Sequence, residues 1–452
     1  MRKISHILIP LLAVSLFTSC GVVTKTYKQP ESTVADSLFR DGNDTDPANL
    51  ADKPWQELFT DPVLQGLINE GIHQNLDLKS AVERMNAAQA TLTQKKLALF
   101  PSLNGSADVT QGKSSTIWEA GLNAKWELDI WGKLNSSKKT ALASYLQTDA
   151  AHRAIQTALI SSIANSYYTL LALDEKLSIT RQTVKIRQQD VESMKLLKES
   201  NVVNGAAVVQ SQANLYSAEV SIPDLQQSIR KTENALCTIL GRVPGSIERS
   251  TLAQQVPQTD LKAGVSSQLL KNRPDVQEAE FALREAFENV NIAKANFYPT
   301  LSITANGGLS ALSLSDFLDN SLFYNLIGGL TQPLFNNGQV RAGYKIAKAN
   351  QQQMYNSFRL SLLNAGEEVS NALYAYQMAE SKERSRGKQI EALEKSVEFT
   401  KELLHYSSAT NYTDVLTSEQ SLLSAQLSSV SDKVEKLQAV VELYRALGGG
   451  WK

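Results

Sequence analysis

The fold is decided by the proline-free stretch from Gln339 to Leu404, whose central part reads FRLSLLNAGEEVSNALYAYQMA from Phe358 to Ala379. Apolar residues recur there at alternating steps of four and three, at Phe358, Leu362, Ala365, Val369, Ala372, Tyr376 and Ala379. This heptad spacing is typical of helices that pack side by side over a long distance. A helix of this length would extend for roughly 100 Å. The stretch therefore predicts a long helical wall and not the core of a compact globular domain.

The composition excludes some classes of function. The 452 residues carry 45 basic and 46 acidic side chains, a net charge of −1, which gives no reason to expect a nucleic-acid partner. Only 7% of residues are aromatic, while Ala, Ser, Gln, Leu, Lys and Glu abound, which favours long helices. No segment reaches the run of about 18 apolar residues that a transmembrane helix needs, so a membrane crossing would have to use strands.

The N-terminus has the pattern of a secretory signal peptide. Two basic residues precede an apolar run that ends at Phe17, and residues 1–19 are the expected signal peptide. The following sequence LFTSCG resembles a bacterial lipobox, and the resemblance implies that Cys20 becomes the lipidated N-terminus of the mature chain. An ordinary signal peptide with an incidental cysteine is the alternative. Residues 20–61 are polar and proline-containing and are expected to form a tether.

No enzyme, metal or cofactor site is predicted. The four histidines, at positions 6, 73, 152 and 405, are scattered, and the chain has no nucleophile elbow or phosphate-binding glycine loop. The second cysteine, Cys237, lies on an apolar helical pattern. A disulfide with Cys20 is conceivable in an exported protein, but a buried thiol is favoured.

Between the helices the hydrophobic period changes from 3.6 to two. The clearest strand has Trp118, Ala120, Leu122, Ala124, Trp126, Leu128 and Ile130 on one face, with polar residues and Gly121 on the other. A soluble sheet with one buried face gives this alternation, and so does a transmembrane strand between lipid and water. On the second interpretation, Glu119, Asn123 and Asp129 face a water-filled lumen.

The chain also repeats itself. Phe100-Pro101 recurs as Tyr298-Pro299, Gly132 as Gly338, and Leu240-Gly241 as Leu447-Gly448. The first repeat is predicted at 62–263, with a helix, a hairpin at 102–131, a long helix at 133–199 and a helix at 206–240. The second is predicted at 264–452, with a helix at 273–298, a hairpin at 300–335, a long helix at 339–404 and a helix at 413–447. Four strands cannot close a barrel, so membrane strands would have to be pooled by several copies.

Several motifs resemble those of the outer-membrane efflux protein family, and of its lipidated NodT-type branch in particular. They are Arg273-Pro274-Asp275-Val276, the helix end Phe297-Tyr298-Pro299, the segment Pro333-Leu334-Phe335-Asn336-Asn337-Gly338, and the C-terminal Leu447-Gly448-Gly449-Gly450-Trp451. The resemblance implies a TolC-like α+β membrane fold. In that fold a homotrimer forms a 12-stranded β-barrel, four strands per chain, which continues as a long α-helical periplasmic barrel.

The same resemblance implies a function and partners. The protein would be the outer-membrane channel of a tripartite system that exports small molecules with a periplasmic adaptor and an inner-membrane RND-type pump. A type I secretion channel for polypeptides is one alternative. A structural coiled-coil periplasmic lipoprotein is another, but it leaves the two alternating hairpins without a purpose.

The resemblance also places the working residues at the two turns that reverse the long helices. The gate is expected at His405, Tyr406, Tyr412 and Asp414. Three copies of Asp414 would form a ring that attracts cations, although Asp414 could equally stabilise the first turn of the last helix. The adaptor is expected to contact Val203, Asn204, Gly205, Ala206, Ala409 and Asn411. The second turn has Asn411 where relatives carry glycine.

Overall fold

The computed structural model describes residues 23–30, 48–257, 261, 263–264, 268–319, 321–406 and 412–452 and, at residues 405 and 406, the backbone only. Cys20, Ala409 and Asn411 lie outside the described residues, as do the expected signal peptide and much of the expected tether.

Helices account for most of the chain, and the strands come in two pairs. The first half contains α1 (Pro62–Gln74), α2 (Leu76–Leu97), β1 (Ser102–Gln111), β2 (Thr116–Leu128), α3 (Lys133–Glu199) and α4 (Gly205–Ile239). The second half contains α5 (Pro274–Ala295), β3 (Thr300–Ala311), β4 (Leu322–Thr331), α6 (Gln339–Tyr406) and α7 (Tyr412–Ala446). Short helical turns occur at Leu50–Asp52, Trp55–Leu58, Leu252–Gln254 and Leu269–Asn272.

The heptad seam of α6 is buried along its whole length. All seven of its residues, from Phe358 to Ala379, are buried, and the most exposed of them is Tyr376 at 8%. Burial of such a stripe, more than the intrinsic propensity of the sequence, is what stabilises a long helix in water.

The four strands form one antiparallel sheet in the order β1-β2-β3-β4. Both predicted hairpin ranges extend past the strands, which end at Leu128 and Thr331. Within the described residues β1 pairs only with β2, and β4 pairs only with β3. The sheet is therefore open, with one free edge on each side.

The chain forms two compact units. The sheet unit comprises residues 23–30, 81–152 and 275–361, and the helical unit comprises the described parts of 34–80, 153–274 and 362–452. Within the sheet unit, residues 23–30 lie antiparallel along α5. The side chain of Asn291 accepts a hydrogen bond from Lys25 N at 3.1 Å and donates one to Lys25 O at 2.9 Å. Tyr27 packs edge-on against Phe287, with ring centroids 5.5 Å apart.

Both repeats end on a glycine that touches a backbone turn. Gly241 follows α4 with a φ of 74°, and Gly448 follows α7 with a φ of 87°. A Cβ on Gly241 would lie 2.6 Å from Gln74 O, and one on Gly448 would overlap the backbone of Asn272. These two partners are related by the same offset as the two helix-ending prolines, since 272 − 74 = 299 − 101 = 198. The internal repeat thus extends to close backbone contacts.

Candidate functional site at the helix turns and the polar sheet face

The turns between the long and short helices are held by a hydrophobic cluster, here called the turn cluster. Its buried members are Met194 of α3 and Tyr412 and Val415 of α7. Partly buried residues of all four helices and the first turn surround them: Leu197, Val203, Ala207, Val208, Leu404 and Leu416. The predicted gate residue Tyr412 is therefore a packing residue in this chain, with 7% of its surface exposed.

Next to the turn cluster, one lysine faces two carboxylates. Lys401 Nζ on α6 lies 3.4 Å from Asp190 Oδ1 on α3 and 2.5 Å from Glu419 Oε1 on α7. The side chains of Asp190 and Glu419 are 16% and 10% exposed. We call these three residues the Lys401 bridge. It joins three helices, and its two acidic groups share one cation.

Burial, and then the charge of Glu419, raise the pKa of Asp190 to about 6. Burial lowers the pKa of Lys401, but its contacts with Glu419 and Asp190 outweigh this and raise it. Beside the bridge, the buried Arg187 donates to Asn214 O of α4 at 2.5 Å and to Gln420 Oε1 of α7 at 2.7 Å. The ends of α4 and α7 are thereby tied to α3 by polar as well as apolar contacts.

The raised pKa of Asp190 predicts that acidification stabilises the folded chain around this carboxyl group. Near pH 5 the folded chain holds a proton on Asp190 that the unfolded chain has lost, so stability rises as the pH falls from about 7 to about 5. The other charged or titratable groups around Asp190 are Lys401, Glu419, Tyr412 and Arg187. Burial raises the pKa of Tyr412, so the phenol stays neutral in this range.

Hydrogen exchange at the start of α7, corrected for the intrinsic rate, should therefore slow by several-fold between pH 7.5 and pH 5.5. In Asp190→Asn the difference should disappear, because the amide does not titrate. An unchanged pH dependence in this variant would assign the effect to another group.

The remaining turn residues differ in exposure. Asp414 is exposed and lies in the first turn of α7, the position at which a carboxylate favours the helix dipole. Asn204 Oδ1 accepts from Ala207 N at 3.2 Å and so caps α4, which begins at Gly205. Gly205 and Ala206 are exposed, whereas Val203 packs on the turn cluster. Of His405 and Tyr406 the structure describes only the helical backbone at the end of α6.

The polar face of the sheet carries one asparagine from each strand at the same level. Asn104 opposes Asn123, Asn123 opposes Asn306, and Asn306 opposes Asn325. The carboxamide of Asn123 donates a hydrogen bond to that of Asn306. We call these four residues the asparagine row. On the same face Glu119 accepts from Ser310 Oγ at 3.1 Å. Two of the three predicted lumen residues thus lie on the face of the asparagine row, which is polar in β1, β2 and β3 and to which β4 adds Phe323 and Ile327.

The third predicted lumen residue, Asp129, is not in the strand, and that prediction was wrong. Its two carboxylate oxygens accept from Leu134 N and Asn135 N, each at 2.8 Å, so it caps the start of α3. The alternation of apolar residues runs on to Ile130, but β2 ends at Leu128 because the next residues turn into the helix. A carboxylate four residues before the first residue of a long helix was the signal of a cap.

We expect Asp129→Ala to lower the free energy of unfolding by about 1 kcal/mol, the usual cost of losing a helix N-cap. Asp129→Asn should retain a large part of the stability, since its carbonyl oxygen still accepts. Urea denaturation of both variants, followed by circular dichroism, measures the difference. Equal losses in the two variants would mean that charge, and not capping, is what Asp129 contributes.

Other kinds of site have little support in the described part of the chain. No group of three or more His, Cys, Asp or Glu side chains there is placed to hold a metal ion. None of the helices in that part has both the length and the apolarity to cross a membrane. Cys237 is a buried free thiol, as the favoured interpretation had it.

The sequence profile described as "Outer membrane efflux protein" matches residues 67–242 and 265–449, one match in each repeat. The chain belongs to the outer membrane efflux protein family. Among curated relatives of this efflux protein, the "Probable outer membrane lipoprotein SilC" of Salmonella typhimurium is 27% identical over 98% of each chain. The "Cation efflux system protein CusC" of Escherichia coli K12 is 29% identical over 98% of this chain and 99% of the relative. The "Toluene efflux pump outer membrane protein TtgC" of Pseudomonas putida is 28% identical over 97% and 95%.

Solved structures agree. A crystal structure of CusC superposes with a TM-score of 0.85 at 28% identity and covers 95% of this chain and 100% of CusC. The open state of the MtrE outer membrane channel of Neisseria gonorrhoeae gives a TM-score of 0.86 at 26% identity, covering 95% and 98%. The predicted TolC-like fold, efflux function and outer-membrane location are confirmed by these matches. They do not favour the alternatives of a polypeptide channel or a structural spacer.

Proposed function

We propose that three copies of the chain form one outer-membrane channel that receives small molecules from an inner-membrane RND-type pump through a periplasmic adaptor. The observation that carries this proposal is the open sheet, whose first three strands have one polar and one apolar face, in a member of this family. Free strand edges are not tolerated in lipid, so they must be paired. Four strands are too few to close around a lumen, whereas three copies supply twelve. The apolar faces would then meet lipid, and the asparagine row with Glu119 would meet water.

The helix turns are the proposed gate and docking surface. We assign the gate to Asp414 and the neighbouring His405 and Tyr406, with Tyr412 holding the start of α7 in the turn cluster. The exposed Gly205 and Ala206 support a contact with the adaptor at the first turn. We assign Val203 and Asn204 to the same contact surface because they pack and cap the first turn. At the second turn we propose that Ala409 and Asn411 contact the adaptor.

Lipidation of Cys20 is the proposed anchor. Val23 is buried in the sheet unit, and a Cβ on Gly132, just after β2, would come within 3.2 Å of the Thr24 side chain. The described chain that follows the proposed anchor thus packs beside the end of β2, where strands that cross the membrane would leave it.

The test uses the full chain extracted in detergent from outer membranes. We expect a trimer by light scattering, and single-channel currents after reconstitution into planar bilayers. A deletion strain should become sensitive to some members of a panel of drugs, dyes and metal ions, and the intact gene should reverse this. A monomer that stays soluble without detergent once the lipid is removed would contradict the proposal. Mass spectrometry of the mature N-terminus tests lipidation of Cys20 separately.

A further inference from the structure

β4 differs from the other three strands on the face of the asparagine row. On this face β1, β2 and β3 present polar residues or glycine, apart from Ile117 near the start of β2. β4 presents Phe323 and Ile327 there, one on each side of Asn325. These two apolar residues are 37% and 49% exposed. Where this face lines the lumen, as proposed, both contact the solution that passes through the channel.

Phe323 stands at the end of a row of small residues. Across the sheet it opposes Gly308, Gly308 opposes Gly121, and Gly121 opposes Ser106. A Cβ on Gly308 would overlap Ala120 O, and one on Gly121 would lie 2.9 Å from the backbone of β3, so neither position has room for a side chain. Beside the Phe323 ring the sheet is therefore bare backbone over the width of two strands. We call Phe323 with Gly308 and Gly121 the Phe323 trough.

The ring of Phe323 is partly covered by its own sheet. Tyr324, the next residue along β4, lies on the opposite face and is 89% exposed, more than twice the exposed fraction of Phe323. An aromatic side chain that covers a glycine of the neighbouring strand is a recurrent arrangement in β-sheets. The part of the Phe323 ring that stays exposed adjoins the bare backbone, so a flat apolar molecule has room beside it.

The two sides of the trough differ in chemistry. One side is the asparagine row, with its amide donors and acceptors. On the other side Glu119 of β2 lies directly opposite Asp108 of β1, and Glu119 also accepts from Ser310 Oγ. Like charges that oppose each other in neighbouring strands destabilise a sheet, so a cation beside this pair is favoured. Glu119 and Phe323 are two strands and two residues apart, about 12 Å between Cα atoms, which is close to the length of a tricyclic aromatic molecule.

The surroundings of Ile327 are different. Ile327 opposes Thr304, and Thr304 opposes Lys125, so the charge in this row is positive. No glycine interrupts the row between Ile327 and Lys125, so it has no floor of bare backbone. An aromatic cation is therefore favoured beside Phe323 and repelled beside Ile327.

We propose that the Phe323 trough binds planar aromatic cations on their way through the channel. The proposal rests on the proposed trimeric channel and names a class of solute that this channel exports. The ring system of the solute packs on Phe323 and on the backbone of Gly308 and Gly121. Polar groups at its edge bond to the asparagine row, and its cationic group lies at Glu119. Three copies of the chain supply three equivalent troughs.

Binding of proflavine and acridone tests the trough. The two probes share one tricyclic ring system, but proflavine is a cation at pH 7 and acridone is neutral. Each is titrated with the full chain in uncharged detergent, and binding is followed by fluorescence polarisation. Phe323→Ser should weaken the binding of both probes by about five- to ten-fold, because the aromatic contact is lost. Glu119→Gln should weaken proflavine by a similar factor and leave acridone unchanged, since the amide still accepts from Ser310 Oγ.

Ile327→Ser is the matched control, because it makes a comparable apolar-to-polar change on the same face of the same strand. It should alter the affinity for proflavine by less than about two-fold. Phe323→Tyr keeps the ring and should bind as the parent does. Phe323→Leu keeps an apolar cover over Gly308 without the ring and should resemble Phe323→Ser. This comparison separates binding of the solute from a purely structural role of Phe323.

The outcomes separate the trough from the channel itself. Unchanged binding in Phe323→Ser, or equal weakening in Ile327→Ser, overturns the trough. Unchanged proflavine binding in Glu119→Gln overturns the preference for cations. Should Phe323→Ser fail to form a trimer, Phe323→Leu and Glu119→Gln decide the question. Absence of saturable proflavine binding to a protein that is trimeric and conducts overturns the trough and leaves the channel intact. A monomer that does not conduct overturns the proposed function, and the trough with it.

Discussion

Replacement of Lys401 by methionine should loosen the helix turns by about 1–3 kcal/mol. The change removes the one cation between Asp190 and Glu419, whose side chains are largely buried, and leaves two like charges close together. Breaking a fully buried ion pair costs about 3–5 kcal/mol, and the value is reduced here because Lys401 is about one-third exposed. Hydrogen exchange near the start of α7 should accelerate accordingly, by about five-fold or more at pH 7.5.

A matched control lies on the same helix. Lys395 forms an exposed pair with Glu391 one turn away, so Lys395→Met removes the same charge without uncovering buried acids. It should leave exchange at the turns unchanged. If the turns gate the channel as proposed, Lys401→Met should also raise the resting conductance and admit large hydrophilic antibiotics. Faster exchange at the turns without increased conductance would mean that the Lys401 bridge stabilises the turns but does not keep the gate closed. Unchanged exchange in Lys401→Met would show that the bridge contributes nothing to stability.

Replacement of Gly448 by alanine should be the most damaging small change in the helical unit. Alanine is strained at a φ of 87°, and its Cβ would overlap the backbone of Asn272, which cannot move as a side chain tip can. Neighbouring contacts would be disturbed as well: Trp451 Nε1 donates to Asn272 O at 3.0 Å, and the buried Arg273 donates to Ala446 O at 2.9 Å. We expect a loss of about 3–5 kcal/mol.

The internal repeat and α6 supply the comparisons for this experiment. Gly241→Ala should behave alike, since Gly241 makes the equivalent contact with Gln74. Gly387 lies on the exposed side of α6, and a methyl group added there would have nothing within 4 Å, so Gly387→Ala should stabilise the helix by about 0.5–1 kcal/mol. Thermal unfolding in detergent and the amount of protein reaching the outer membrane measure all three. An unchanged unfolding temperature in Gly448→Ala would mean that the end of α7 can shift enough to admit the added methyl group.

Much of this fold could be predicted from local sequence patterns. The spacing of apolar residues alone predicted the seam of α6, and every residue predicted on it is buried. The break between α1 and α2 is local as well: the side chain of Asn75 accepts from Leu78 N at 2.8 Å and donates to Ile239 O. Asp129 shows where the hydrophobic period is not sufficient. The alternation predicted that β2 continues through Asp129, whereas its carboxylate accepts hydrogen bonds from backbone amides of α3.

The turns were harder to predict, because their side chains are brought together by residues far apart in sequence. Tyr412 was predicted at the gate from its place beside the second turn, and only its contact with Met194 of α3 shows that it is also a core residue. The Lys401 bridge was missed altogether. Its acidic member on α7, Glu419, is 10% exposed, and a largely buried carboxylate requires a partner, but exposure is not visible in the sequence.

The segment at residues 23–30 has a consequence for biogenesis. Its backbone is held by Asn291, 266 positions further along the chain. Because synthesis runs from the N- to the C-terminus, Asn291 is made only after the first repeat is complete. Residues 23–30 therefore cannot bind to α5 until four helices and one strand pair have been synthesised. A product that ends inside the first repeat lacks the surface that receives this segment. Attachment of residues 23–30 to α5 therefore requires the second repeat.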